Sequence, residues 1–162
     1  MYKRQAFDAD AWNRLGVLEL GRGDLNAARS AFAKAIDVAP DRAEPHYNLA
    51  IVERRASNEV SAQTHLRDAL ARNPAYPEAN YELGTGYLMA KQPAPALLAY
   101  KAALAARPDY PEALFGAARA ALDLGQTAEA RQYYERFVRV APREYARQVA
   151  AARDALTRLA AK

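Results

Sequence analysis

Residues 9–42 read ADAWNRLGVLELGRGDLNAARSAFAKAIDVAPDR, and the pattern of this stretch returns every 34 residues without an insertion. Pro40, Pro74, Pro108 and Pro142 keep that spacing, and so do Ala28, Ala62, Ala96 and Ala130. Other columns repeat by residue type. Leu15, Leu49, Leu83 and Ala117 are apolar; Gly16, Ala50, Gly84 and Ala118 are small; Phe32, Leu66, Tyr100 and Tyr134 are large. A fixed period in this range marks a stack of supersecondary units, none of which can bury its apolar face alone.

Each unit reads as two helices joined by a tight turn, with Gly23-Asp24 and Gly125-Gln126 supplying turn chemistry in the first and last units. The second helix stops before its proline, which pushes the preceding residue out of the α region. The units are 9–42, 43–76, 77–110 and 111–142, after an N-terminal extension at 1–8. Gly16 and Ala28 let the paired helices approach, while Trp12, Leu15, Phe32 and Ile36 fill the space between them. Pro93-Ala94-Pro95 reads as a rigid connector in the third unit. Residues 143–162 leave the pattern and place Tyr145, Val149, Ala152, Leu156 and Leu159 on one helical face. This helix is expected to cap the last unit, with Arg147, Arg153, Arg158 and Lys162 toward solvent. The N-terminal end carries no matching polar cap, which predicts either further chain upstream or docking on a second copy.

Composition narrows the functional classes. The chain has 162 residues, 51% hydrophobic and 26% charged, enough for a buried core. There is no cysteine, which removes disulfides, thiolate nucleophiles and Cys-based zinc sites. The net charge of +4 comes from 23 Lys and Arg against 19 Asp and Glu spread along the chain, a poor footprint for nucleic acid. No apolar run is long enough to span a membrane, and the first residues lack the apolar segment of a secretory signal. The compartment, cytoplasm or periplasm, stays open.

The spacing Trp12-x-x-Leu15-Gly16, then Ala28, Phe32, Ala35 and Pro40, resembles the tetratricopeptide repeat family. Glu19 and Glu53 stand where that family usually has tyrosine, and His46 and Asn80 where it favours tryptophan. The resemblance implies an all-α, right-handed superhelical solenoid of antiparallel helix pairs. Its first helices would line a concave groove that takes an extended peptide or a partner helix, and the repeat itself would be non-catalytic.

On each first helix, residues at i, i+3, i+7 and i+10 project together. The resulting stripe holds Asn13, Val17 and Leu20, then Tyr47, Ile51 and Arg54, then Tyr81, Thr85 and Leu88, and finally Phe115, Arg119 and Leu122. Tyr47, Tyr81 and Phe115 form an aromatic ladder suited to an apolar peptide side chain. Asn48 and Glu82 offer an amide and a carboxylate to a peptide backbone, and Arg54 with Arg55 makes a positive spot. Glu44, Glu78 and Glu112 suit the first helical turns through the helix dipole. A subfamily that grips chaperone C-terminal carboxylates uses lysine, asparagine and arginine from successive first helices. This chain is similar to it only at Asn48, with Asn13, Val17, Glu78 and Glu82 at other clamp positions.

Catalysis or metal binding has only His46 and His65 to draw on, and neither sits in a recognisable ligand motif. Gly84-Thr85-Gly86 and Gly21-Arg22-Gly23 lack the strand and third glycine of a nucleotide loop. The sequence therefore predicts a non-enzymatic scaffold without cofactor or metal, binding a protein or peptide. High alanine and arginine with scarce lysine suggests a GC-rich bacterial source, and the family resemblance implies a place in an assembly or secretion complex. The alternatives are a repeat region excised from a larger transferase or envelope-assembly factor, and a scaffold that self-assembles through its uncapped first unit.

Overall fold

The computed structural model describes residues 2–160, with side chains from Asp8 onward. Among these there is no strand. The helices are α1 (Tyr2–Arg22), α2 (Leu25–Val38), α3 (Ala43–Arg55), α4 (Glu59–Arg72), α5 (Pro77–Met89), α6 (Pro93–Ala106), α7 (Pro111–Asp123), α8 (Thr127–Val140) and α9 (Ala146–Ala160), with a 3-10 turn at Arg143–Tyr145. α1 runs from Tyr2, so residues 2–8 continue the first helix. Helices α1 to α4 lie in one compact unit, ending at Pro74, and α5 to α9 in a second, starting at Ala75. No described helix is long and apolar enough to cross a membrane.

The turn inside each hairpin has one hydrogen-bond design. Asp24 N donates to the Glu19 carbonyl and Gly23 N to that of Leu20; Asn58, Gln92 and Gln126, with Ser57, Lys91 and Gly125, repeat the pair at the next three turns. This is a Schellman closure, which requires a left-handed residue at its centre. Gly23 (φ 84°) and Gly125 (φ 73°) adopt it freely, whereas Ser57 (φ 63°) and Lys91 (φ 57°) hold the same shape with a Cβ. Sequence reading identified the two glycine turns and missed the other two, because nothing in serine or lysine announces positive φ. Lys91 is exposed, so Lys91→Gly loses no buried packing. It should raise stability by about 1 kcal/mol, read as a higher urea midpoint; an unchanged or lower midpoint would refute the strain.

Helix starts follow from local chemistry. Asp24 caps α2 by accepting from Ala27 N at 2.9 Å. Pro77, Pro93 and Pro111 open α5, α6 and α7, where a missing N–H costs nothing. Pro93-Ala94-Pro95 is thus the first turn of α6 and not a connector; Lys91 and Gln92 make the turn.

In the first unit Ala28, Phe32, Leu49 and Val52 are buried together, with Leu20, Leu25 and Ile36 against them. Gly16 makes room for Phe32, since a Cβ there would fall 2.5 Å from the Phe32 ring. Leu15, expected in the core, is 39% exposed. Its equivalent Leu49 packs in the cluster with α2, whereas no described helix precedes α1. Trp12 is half-buried, with Lys34 Nζ 4.2 Å from its ring centroid.

In the second unit the buried cluster includes Tyr100, Leu114, Tyr134 and Phe137, and Val149, Ala152 and Leu156 of α9 pack on it. Phe137 is fully buried and meets the edge of Tyr145 at 6.3 Å. Of the stripe, Tyr145, Val149, Ala152 and Leu156 pack on this cluster, Tyr145 from the 3-10 turn rather than from a helix. Arg147, Arg153 and Arg158 are exposed; Lys162 lies outside the described residues.

Candidate peptide-binding surface

The stripe residues of the second unit converge. Tyr81, Thr85 and Leu88 of α5 and Phe115 and Arg119 of α7 line a cavity of about 220 Å³, completed by Met89, Tyr100, Glu112 and Gly116. A neighbouring cavity of about 150 Å³ shares Tyr81, Glu112 and Phe115 and adds Phe137, Tyr145 and Gln148. Both are smaller than sites for drug-sized molecules and match a single side chain.

Packing fixes the aromatic walls. Tyr81 stands 6.0 Å from Tyr100 and 5.4 Å from Tyr110, centroid to centroid, and Phe115 stands 5.2 Å from Phe137 and 5.8 Å from Tyr134. These tilted and edge-on pairs leave each anchor ring little rotational freedom. Thr85 donates to or accepts from the Tyr100 hydroxyl at 3.2 Å, while also bonding the Tyr81 carbonyl at 3.1 Å. Glu112 accepts from the Tyr145 hydroxyl, which pushes the phenol pKa up to about 12. Arg119 is exposed at the rim and Met89 is 72% exposed beside it. The cavity therefore offers apolar walls, an anionic wall group and a cationic rim.

The stripe residues of the first unit do other work. Asn13 is 6% exposed, donates to Glu44 Oε1 at 2.9 Å and accepts from Asn48 Nδ2 at 2.9 Å. Both ends of the Asn13 amide are thus spent on tying α1 to α3, which makes it an internal link rather than a groove contact. Arg54 reaches Glu59 at 3.4 Å, and Arg55 donates to the Leu20 carbonyl at 3.0 Å, capping the end of α1. The expected positive spot is partly spent in this way. Tyr47 and Ile51 are half-buried, as are Glu82 and Leu122 in the second unit; Leu122 packs on the core cluster.

Sequence reading missed Tyr100, Met89, Glu112, Gly116, Tyr145 and Gln148 as lining residues. Tyr100 was visible as a large residue of the repeat, and Glu112 as a first-turn carboxylate. Tyr145 and Gln148 depend on where the capping segment lands, which no repeat encodes. Glu44, Glu78 and Glu112 do more than suit helix dipoles, because Glu78 pairs with Arg107 and the other two bind Asn13 and Tyr145.

An all-α stack of short helical hairpins with an aromatic-walled cavity is the architecture of a protein-interaction scaffold. Family models described as tetratricopeptide repeat match residues 87–159 and, for a second model, residues 2–43, 13–62 and 47–111. The chain belongs to the tetratricopeptide repeat family.

Among solved structures, crystalline MamA is similar at 23% identity and a TM-score of 0.74, over 82% of this chain and 77% of that one. YrrB, described as a TPR protein with an unusual peptide-binding site, is 21% identical with a TM-score of 0.75, over 83% and 70%. The first TPR of Spaghetti (RPAP3), bound to the HSP90 peptide SRMEEVD, is 20% identical with a TM-score of 0.70, over 74% and 95%. Likeness at this level shows the fold. No curated protein matches the sequence.

Proposed function

We infer that this chain is a non-enzymatic scaffold that binds an extended peptide or helix of a partner protein along its first helices, within a multiprotein assembly. The observation that carries this reading is the cavity walled by Tyr81, Leu88 and Phe115, three residues of one helical stripe. One apolar peptide side chain enters it, and polar groups of the peptide meet Arg119 at the rim and Glu112 in the wall. Glu82, on the same unit as the cavity, extends the contact along the peptide. The peptide-bound repeat of Spaghetti and the peptide-binding site described for YrrB support the class of ligand but not its sequence. Chaperone-tail recognition is disfavoured, since Asn48, the one clamp-like residue, is bonded to Asn13. Scattered charge disfavours nucleic acid.

Selection from a displayed random-peptide library tests this directly. The selected peptides should share one apolar residue and bind with dissociation constants on the order of micromolar. Leu88→Glu and Arg119→Glu, each shown folded by circular dichroism, should weaken them at least about tenfold, a typical loss for an interface anchor. Equal binding by both variants would remove the cavity as the site.

A second reading, self-association, draws support from α1, where Leu15, Val17 and Leu18 are 39%, 50% and 51% exposed. Sedimentation that stays monomeric at high concentration excludes it.

A further inference from the structure

We propose that His46, His65 and Asp68 form a binding site for a borderline divalent transition-metal ion, best matched by Zn2+, that clips α3 to α4. The three residues come from one hairpin, and one ligand atom from each lies within 4.8 Å of the other two.

His46 is the observation that needs an explanation. It is 5% exposed, and neither Nδ1 nor Nε2 meets a hydrogen-bond partner. Buried polar atoms are almost always paired, because an orphan gives up its hydration for nothing. The Pro40 carbonyl is near enough to favour the protonated ring slightly, but it falls outside hydrogen-bond geometry and already accepts from Arg72. His65 repeats the situation. Its Nδ1 is buried and unpaired, 3.9 Å from Asp68 Oδ2, too far for a hydrogen bond. The unpaired His46 imidazole, the unpaired His65 Nδ1 and a carboxylate thus share one small volume.

The donor set matches the metal class. Two imidazole nitrogens and one carboxylate oxygen, without thiolate, are the borderline ligands of Zn2+ and its neighbours, and a water would complete four-coordination. Burial is the largest cause holding His46 below the usual imidazole pKa, with Arg72 next. Metal bonds of about 2.1 Å put ligand atoms roughly 3.4 Å apart, so the cluster must tighten by up to about 1.4 Å. His65 and Asp68 supply that movement, since their side chains are 28% and 46% exposed, while His46 is fixed by packing. The main cost is the Arg72 guanidinium. It is held away from the cluster's ligand atoms only by its bonds to the Pro40 and Asp68 backbone carbonyl oxygens.

The test titrates Zn2+ into the untagged full chain at neutral pH by calorimetry. The expected result is one ion per chain and a thermal midpoint that rises with Zn2+. His65→Ala and Asp68→Ala, each at a partly exposed position, should weaken binding at least about tenfold and abolish the rise. The unmodified protein gives an independent readout. His46 and His65 are its only 2 histidines, so both imidazole sets should shift together in NMR spectra as Zn2+ is added. Absence of saturable binding, retention of full affinity in either variant, or a shift confined to one histidine would overturn the site.

Discussion

Replacing Tyr100 by alanine should cost the second unit about 3–5 kcal/mol, the usual range for deleting a buried aromatic ring. Tyr100 is 2% exposed and projects from α6 into a slot between two glycines. A Cβ at Gly84 of α5 would stand 2.8 Å from the ring, and one at Gly116 of α7 would stand 2.5 Å from it. The ring thus fills the space that two missing side chains leave, and three helices lose their common filler when it goes. Tyr100→Phe keeps the ring and loses the hydroxyl with its Thr85 bond, so about 1 kcal/mol is expected. Gly116→Ala should destabilise by about 1–3 kcal/mol, because the added methyl overlaps the buried Tyr100 ring and forces it to shift. Adding Gly116→Ala to Tyr100→Ala should then cost less than the sum of the two single changes, since the methyl enters the cavity left by the ring. Urea unfolding followed by helical circular dichroism measures all four variants. Strict additivity would show that ring and glycine do not share one volume.

The parts of this architecture legible in the sequence are those that local chemistry repeats. The prolines, small residues and large residues recur because every hairpin solves the same packing problem, and that recurrence is visible without coordinates. Leu15 shows the limit of such reading. It occupies a core column, yet burial in that column comes from the preceding helix, so one residue type is buried at Leu49 and exposed at Leu15. The binding surface divides in the same way. The stripe identified Tyr81, Leu88 and Phe115, since side-chain direction follows from helical period. It could not show that Asn13 is consumed by Glu44 and Asn48, because a hydrogen-bond partner some 30 residues away depends on helix placement. Sequence reading takes His46 and His65 singly and not as a pair for a similar reason. They are 19 positions apart on two helices, outside any sequential ligand motif, and only the hairpin brings them together.

Glu53 carries the largest electrostatic effect expected in the first unit. It stands where the family usually has tyrosine, is 6% exposed, and accepts from Arg29 Nε at 2.6 Å and Asn58 Nδ2 at 2.9 Å. The Arg29 hydrogen bond is the first cause holding the Glu53 carboxyl below its ordinary pKa, opposed by burial and aided by Asn58. Glu53→Ala leaves a cavity and an unpaired guanidinium. Arg29 is 36% exposed and can be rehydrated, so the cost should be about 2 kcal/mol, below that of breaking a fully buried pair. A carboxyl with a depressed folded-state pKa stabilises the fold fully above the ordinary carboxylate range. That stabilisation is lost as pH falls through the folded-state value. Glu53→Gln keeps the shape and removes the charge, so wild type should exceed it in stability near neutral pH and approach it as acid protonates Glu53. Urea midpoints of the two proteins, compared from about pH 7 down to about pH 3, follow this convergence. A gap that stayed constant across the range would mean that the Arg29 contact stabilises through shape and hydrogen bonding, with charge contributing nothing.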